Sequence, residues 1–293
     1  MKAKIILLTP VYNDWKNLTK LLRKINTIFS KKIKKKFELV IVDDCSSERT
    51  NFKMLKFKMV KKLTVLSLKY NLGSQRAIAI GIKYLSIFYK HNKNFKTIIM
   101  DSDGQDNPRA IPKILSLSHD NSDYSIAINR GQRKEPIWFK IFYEVYCLFL
   151  KIFCLKKIRF GNFSLINSKH LKIISKKNEL WNAFPPTVSM NIKDIIYQTF
   201  DREKRYSGKS KMNFLGLVLH ALKVFSVFKN RIFVFSIIYF FISLLFFLIH
   251  EQKIIYYSFN TFLILLNLSN IIVSLKNKNG FKQSYGKIKV KTF

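Results

Sequence analysis

Cysteine is scarce, acid is scarce, and two long stretches near the C-terminus carry no charge. The 293 residues include three cysteines, Cys45, Cys147 and Cys154. They form no CxxC pair and have no His placed to complete a zinc pattern, which excludes a disulfide framework and a metal finger and points to a reducing compartment. Ahead of the first motif, Lys2 and the run Ile5-Ile6-Leu7-Leu8 are too short for a secretory signal, so the N-terminal domain is expected in the cytoplasm. Asp and Glu total 17 against 53 Lys and Arg, a formal charge of +36. Such an excess attracts any anion, whether nucleic acid, anionic lipid or a phosphorylated substrate. Part of it follows from a chain-wide over-use of Lys, Ile, Asn and Phe. No nucleic-acid recognition motif accompanies it, so no nucleic-acid partner is expected.

The two charge-free stretches are 232–249 and 254–275. As helices they would be about 27 Å and about 33 Å long, close to the hydrocarbon thickness of a bilayer. They read as a transmembrane hairpin joined at His250–Lys253. Lys229 and Arg231 before the hairpin and six lysines after it, against Lys253 in the turn, place both termini in the cytoplasm. In the second span Asn260, Asn267, Asn270 and Ser274 share one helical face. Polar groups avoid lipid, so that face is expected against the first span or a second subunit, the latter making a homo-oligomer.

Upstream, short apolar strands alternate with helical patterns. Strands are expected at Lys4–Leu8, Phe37–Asp43, Leu63–Leu68, Lys96–Asp101 and Asp123–Asn129, and helices at Trp15–Phe29, Ser74–Lys90 and Pro108–Ser118. This is the pattern of βαβ units and of an α/β fold with a mostly parallel central sheet. In such sheets ligands bind at the carboxyl ends of strands. Residues 134–155 read as an apolar helix broken by Lys140, Glu144 and Lys151. Each charge would cost about 2.5–3.5 kcal/mol at a bilayer centre. That helix is therefore expected on the membrane surface or packed on the domain. A strand at Arg159–Asn167, a helix at Ser168–Lys176 and a strand at Ile195–Tyr206 follow. The expected layout is a catalytic domain at 1–212, an amphipathic interface helix at 213–231, the hairpin at 232–275 and a basic cytoplasmic tail at 276–293.

Polar loops follow the first four strands: Thr9-Pro10-Val11-Tyr12-Asn13-Asp14, Val42-Asp43-Asp44-Cys45-Ser46-Ser47, Asn71-Leu72-Gly73-Ser74-Gln75-Arg76-Ala77 and Met100-Asp101-Ser102-Asp103-Gly104-Gln105. Alternate carboxylates at a strand end can converge on one divalent ion, and their oxygens suit Mg²⁺ or Mn²⁺ bridging to a diphosphate. Asp44, read from its own loop alone, is placed to cap the turn that follows it.

These four elements, in order and at this spacing, resemble the PVYNE, VDDGSxD, NxGxxxA and DxDxQxxP elements of family 2 glycosyltransferases of GT-A fold. Within that family the chain is similar to the polyprenyl-phosphate sugar transferases. The resemblance implies a nucleotide-binding set of Pro10, Tyr12, Asp14, Asp44, Arg76, Ser102 and Ser210, and a metal set of Asp101, Asp103 and Gln105. Arg205-Tyr206-Ser207-Gly208-Lys209-Ser210-Lys211 resembles the RxxGESK element, with Lys209 in place of Glu. Arg130 and Arg133 follow the fifth strand. Arg and Lys suit phosphate oxygens, so Arg130, Arg205 and Lys211, with Asp103, are the catalytic candidates. Two departures stand out. Asp14 replaces a Glu, and in Phe160-Gly161-Asn162-Phe163-Ser164-Leu165 the family's acid and Arg are Asn162 and Ser164.

The implied function is metal-dependent, inverting transfer of a sugar from a nucleotide diphosphate donor to a membrane polyprenyl phosphate. A saccharide-hydroxyl acceptor, or a catalytically weak membrane scaffold, are the alternatives. An Asn takes no proton, whereas a lipid monophosphate arrives ionised and needs no base.

Overall fold

The computed structural model of the chain describes residues 3–48, 50–92, 94–120, 123–131, 137–156, 158–208, 214–277 and 280–293. Arg133, Lys209, Ser210 and Lys211, singled out by sequence, lie outside the described residues. In chain order the first elements are β1 (Lys4–Val11), α1 (Trp15–Ile28), β2 (Phe37–Asp43), β3 (Val60–Ser67), α2 (Ser74–Phe88), β4 (Phe95–Ile99), α3 (Ile111–Asp120) and β5 (Ser125–Arg130). Then come α4 (Ile137–Cys154), β6 (Phe160–Asn167), α5 (Ser168–Ile174), α6 (Phe184–Asn191) and β7 (Ile195–Phe200). The chain closes with α7 (Phe214–Val227), α8 (Lys229–His250), α9 (Lys253–Asn277), α10 (Gly280–Tyr285) and β8 (Lys289–Thr292). Two compact units result, one built on the strands with α1–α3, α5 and α6, the other of α4 and α7–α9.

The sheet order is β7-β5-β6-β4-β1-β2-β3-β8. Parallel ladders join β1 to β2 and β4, β2 to β3, and β5 to β7. β6 runs antiparallel to β4 and β5, and β8 antiparallel to β3. Six strands therefore end at one edge, and β6 and β8 begin there. Ile99 pairs with Ser164; two residues further along this antiparallel register, Asp101 comes opposite Asn162. β2 is buried along its whole length and β1 along nearly all of it, as expected where both faces of a parallel sheet are covered. In α1, Leu18, Leu21, Leu22 and Ile25 recur at helical spacing and are fully buried against that sheet. Each such side chain contributes about 1.5–3 kcal/mol by leaving water.

Two expectations from sequence need correction. The strand expected to reach Tyr206 stops at Phe200. Its continuation leaves the sheet because Glu203 N donates to Gln105 O at 2.9 Å and Tyr206 N to Asp103 O at 3.3 Å. The segment expected as a basic tail supplies β8, whose backbone pairs with the edge of β3. Phe293 and Leu63 exchange both backbone hydrogen bonds, at 2.8 and 3.1 Å. A free strand edge is a liability that such pairing covers. The Lys-Val-Lys-Thr alternation hides the strand, since its lysines read as solvated charge.

The helical unit carries a repeating polar ladder. Asn260 Nδ2 donates to Ser243 Oγ at 3.0 Å, Asn267 Nδ2 to Ser236 Oγ at 2.8 Å, and Lys229 Nζ to Ser274 Oγ at 2.8 Å. The partners step by seven residues along both α8 and α9, so the polar face of the second span meets the first. Asn270 is buried with no hydrogen-bond partner among the described residues. At the other side Arg231 Nη1 and Tyr239 Oη donate to the carbonyls of Cys154 and Ile152, unsatisfied groups at the end of α4. α8 and α9 are long and apolar enough to cross a membrane, and only 11% of each apolar window is buried within the chain. That exposure suits lipid rather than a protein core.

Between β5, β6 and α5 lies a polar knot. Ser125 Oγ is 2.9 Å from His170 Nδ1, His170 N donates to Asn167 Oδ1 at 2.8 Å, and His170 Nε2 lies 3.8 Å from Asp194. Ser125 is fully buried, so this Ser–His–Asp grouping has no access to a substrate and its role is structural. Burial holds the His170 pKa below its usual value, against the pull of Asp194. The unfolded chain therefore binds the extra proton more readily, and stability from the neutral ring is present above about pH 6.5 and declines as pH falls below it. Replacing His170→Gln should lower stability at neutral pH and flatten the slope of unfolding free energy between about pH 5 and 7, by at most about 1.4 kcal/mol per pH unit. Urea unfolding at several pH values checks this; equal slopes in both proteins would contradict it.

Candidate active site

The carboxyl edge of the sheet is stitched together by its own loops. Asn13 sits in the left-handed region, φ 46°, a conformation that Asn tolerates better than most residues. From there its N and Nδ2 donate to Ser46 and Ser47 Oγ at 2.9 and 3.0 Å, and its Oδ1 accepts from Glu48 N at 3.1 Å. Asp43, not Asp44, caps the second turn, accepting from Ser46 N at 3.0 Å. Asp44 reaches the third loop, where its two oxygens accept from Leu72 N at 2.7 Å and Gly73 N at 2.8 Å. Burial lifts the Asp44 carboxyl to about 6, while those two N–H groups hold it down. Next to it Arg76 lies over the Trp181 ring, 5.1 Å from its centroid. Its pKa is lowered by burial and raised by Asp44. Pro10 is buried in the β1–β2 ladder opposite Val42, and Tyr12 is exposed at the rim.

The loop after β4 is folded on itself. Asp101 N donates to Asp106 Oδ2 at 2.9 Å, and Gln105 N to Asp103 Oδ1 at 3.0 Å. Gly104 has φ 81°, and a Cβ there would overlap the Tyr206 ring. Ser102 is buried. Asp101 Oδ1 accepts from Asn162 Nδ2 at 2.9 Å. Arg205 then ties this loop to the first one: Nη1 donates to Asp103 Oδ2 at 3.3 Å and Nη2 to Asp14 Oδ2 at 2.6 Å. Asp14 also accepts from Asn17 Nδ2 at 2.8 Å. The shorter acid at position 14 thus reaches a cation.

Burial raises the Asp103 pKa, and the charge of Asp101 raises it further against Arg202 and Arg205. Asp106 is pushed up to about 7 by burial and Asp101, opposed by Arg130 and Arg202. Two carboxylates that repel one another are relieved by a shared cation, and Asp101 and Asp103 offer the hard oxygens that Mg²⁺ or Mn²⁺ prefers. Among the described residues no group of three or more His, Cys, Asp or Glu side chains is arranged to hold a metal ion. With Gln105 beside it, the pair would leave the rest of the coordination shell to water and to phosphate oxygens. The Arg130 guanidinium lies against Gly161, where a Cβ would overlap it. With Gln105, Asp106 and Arg202 it lines one small cavity.

A family model, Glycosyl transferase family 2, matches residues 6–177. The chain belongs to that family. An uncharacterised glycosyltransferase of Synechocystis sp. is 25% identical over 230 residues, covering 76% of this chain and 68% of that one. Among solved structures, S. aureus TarS superposes with a TM-score of 0.50 at 18% identity over 78% of this chain; the chain spans 39% of TarS. Glucosyl-3-phosphoglycerate synthase from Mycobacterium tuberculosis, in complex with phosphoglyceric acid, gives 0.52 at 11% identity, covering 78% and 80%. At these identities the structures speak for the fold alone, an α/β domain of GT-A type. The chain is a glycosyltransferase that uses a nucleotide-sugar donor.

Of the residues chosen from sequence, Asp14, Asp103 and Arg205 form one ion-paired cluster. Asp101 adjoins it, Gln105 and Arg130 share the neighbouring cavity, and Asp44 and Arg76 line the far side of the rim. Sequence reasoning passed over Asp106, Arg202 and Gln75. Asp106 stands within the Asp101–Pro108 element as an unspecified position, and Arg202 three residues before Arg205. Replacing Arg205→Leu in this transferase should cost about 1.5–3 kcal/mol of stability, the worth of hydrogen bonds to charged groups. It should also cut kcat/KM by at least about a hundredfold. Denaturant unfolding and a donor-consumption assay measure the two; an unchanged unfolding midpoint would show that the tie contributes nothing to the fold.

Proposed function

We propose that this transferase moves a sugar from a nucleoside diphosphate to a membrane polyprenyl phosphate, with inversion, using Mg²⁺ or Mn²⁺ on Asp101 and Asp103. The observation that carries the choice of acceptor is Asn162. It stands where the family has an acid, and its amide is bonded between Gln75 and Asp101 at 2.8 and 2.9 Å. A hydroxyl acceptor needs a base to remove its proton in the attack. A phosphate monoester, with its second pKa near about 6, arrives largely ionised and needs only positioning and neutralisation. Asp106 does not supply the base, because it is buried and accepts from the Asp101 backbone.

The cation, when bound, acts as a Lewis acid on the departing diphosphate. Gln105 completes the proposed metal set. Pro10, Tyr12, Asp14, Asp44, Arg76 and Ser102 form the proposed nucleotide pocket, with Ser210. Arg130, Arg205 and Lys211 hold phosphate oxygens, Arg205 being oriented by Asp14. A solved synthase of the same fold, from Mycobacterium tuberculosis, was captured with Mn²⁺, UDP and glucosyl-3-phosphoglycerate, at a TM-score of 0.52; it supports a cation and a uridine nucleotide at this rim. α8 and α9 would anchor the chain as a hairpin in the membrane that holds the acceptor, with the catalytic domain and both termini cytoplasmic. Positive charge flanking the hairpin supports that orientation.

Membranes containing the protein, incubated with labelled nucleotide sugars and Mn²⁺ or Mg²⁺, should move label into the lipid extract. Membranes stripped of polyprenyl phosphate should not, until the lipid is restored. Label passing to a soluble glycan in stripped membranes would defeat the acceptor assignment. Asp103→Ala should lower transfer by more than about a hundredfold while the domain stays folded; a purified variant with most of its turnover would remove the metal.

A further inference from the structure

Behind Asp101 runs a chain of two side-chain amides. Phe184 N, at the start of α6, donates to Gln75 Oε1 at 2.8 Å; Gln75 Nε2 donates to Asn162 Oδ1 at 2.8 Å; Asn162 Nδ2 donates to Asp101 Oδ1 at 2.9 Å. Both ends are fixed by chemistry, since a backbone N–H only donates and an ionised carboxylate only accepts. The orientation of each amide follows from those ends, and turning either one breaks two bonds. Phe184 is fully buried and Asn162 is 7% exposed, so water does not readily replace the links. Among the described residues Asp101 Oδ2 carries no hydrogen bond.

We propose that Gln75 and Asn162 are positioning residues, a neutral amide relay that holds one oxygen of Asp101 and leaves the other for the divalent cation. The inference rests on the metal reading given above. Amides suit this place for a definite reason. A carboxylate at position 162 could accept from Gln75, but it would face Asp101 with a like charge and no proton to donate. An amide accepts on one side and donates on the other. Gln75 is then required, because it supplies the donor that keeps the Asn162 oxygen turned away from Asp101. Partners behind a metal ligand set its orientation, and their loss commonly weakens metal binding.

The test is Mn²⁺ binding to the purified full chain, read from the electron paramagnetic resonance signal of free Mn²⁺, with UDP binding in chelator alongside. Gln75→Glu keeps the acceptor for Phe184 N–H and the size of the side chain but reverses the next link. Asn162→Leu removes that link. Both should weaken Mn²⁺ binding about 10–100-fold while UDP binding in chelator changes by less than about threefold. In transfer assays the KM for Mn²⁺ should rise more than kcat falls. Gln75→Glu decides the matter where Asn162→Leu fails to fold. Variants that bind Mn²⁺ as tightly as the parent refute the relay alone. A parent that binds no Mn²⁺ refutes the metal reading and the relay with it.

Discussion

Burial of carboxylates at one edge of the sheet, sharpened by the charge of Asp101 beside Asp103 and Asp106, is the constraint on which the rest of the site depends. Asp14, Asp43, Asp44, Asp101, Asp103 and Asp106 are six of only 17 acidic residues in a chain of charge +36, and all of them end or follow β1, β2 or β4. Crowded, buried carboxylates are costly unless donors or cations face them. Each has its own: Arg205 for Asp14 and Asp103, loop N–H groups for Asp44, the Ser46 N–H for Asp43, the Asp101 N–H for Asp106, and the Asn162 amide for Asp101. Loops that would otherwise be independent are thereby joined. The first loop is bonded to the second through Asn13, the second to the third through Asp44, and the first to the fourth through Arg205.

Much of this was legible because strands and motifs are local. The apolar runs of β1, β2 and β4 and the polar residues after them fix where the rim lies, and four elements in sequence order identify it. Other parts depend on partners distant in the chain. Gln75 and Asn162 are separated by 87 residues and Asp14 and Arg205 by 191, and no spacing rule relates such pairs. Asn162 comes beside Asp101 because β6 runs against β4, a topology that a strand pattern alone does not specify. β8 was hidden for a similar reason. Its residues are exposed on both faces, so alternation between core and solvent, the usual mark of a strand, is absent, and only backbone pairing with β3 defines it.

The helical unit is held together differently, its two long helices being apolar enough to cross a membrane and only 11% buried within the chain. Where apolar surface meets lipid, burying it against another helix gains little, and packing rests on hydrogen bonds and close fit. The seven-residue ladder serves that purpose, with Lys229, Ser236 and Ser243 of α8 facing Ser274, Asn267 and Asn260 of α9. Three bonds at the same interval set the register of α8 against α9 more firmly than apolar contact would. Asn260 and Asn267 also donate to their own helix carbonyls at Tyr256 and Leu263, each at 2.8 Å, so their amides are satisfied within the hairpin.

The charge balance of the rim also bears on what it can accept. A nucleoside diphosphate and a phosphate monoester are both anions, and a rim of six carboxylates alone would repel each of them. Arg76, Arg130, Arg202 and Arg205 stand among those carboxylates, and the electrostatic influence of each on Asp44, Asp103 or Asp106 opposes the effect of burial. A divalent cation between Asp101 and Asp103 would turn that local balance positive at the point where the diphosphate leaves. An acidic side chain at 162 would place a further negative charge beside Asp101, which the amide does not. The amide at that position and the four arginines around the rim are therefore two aspects of one electrostatic arrangement, suited to an anionic nucleotide-sugar donor.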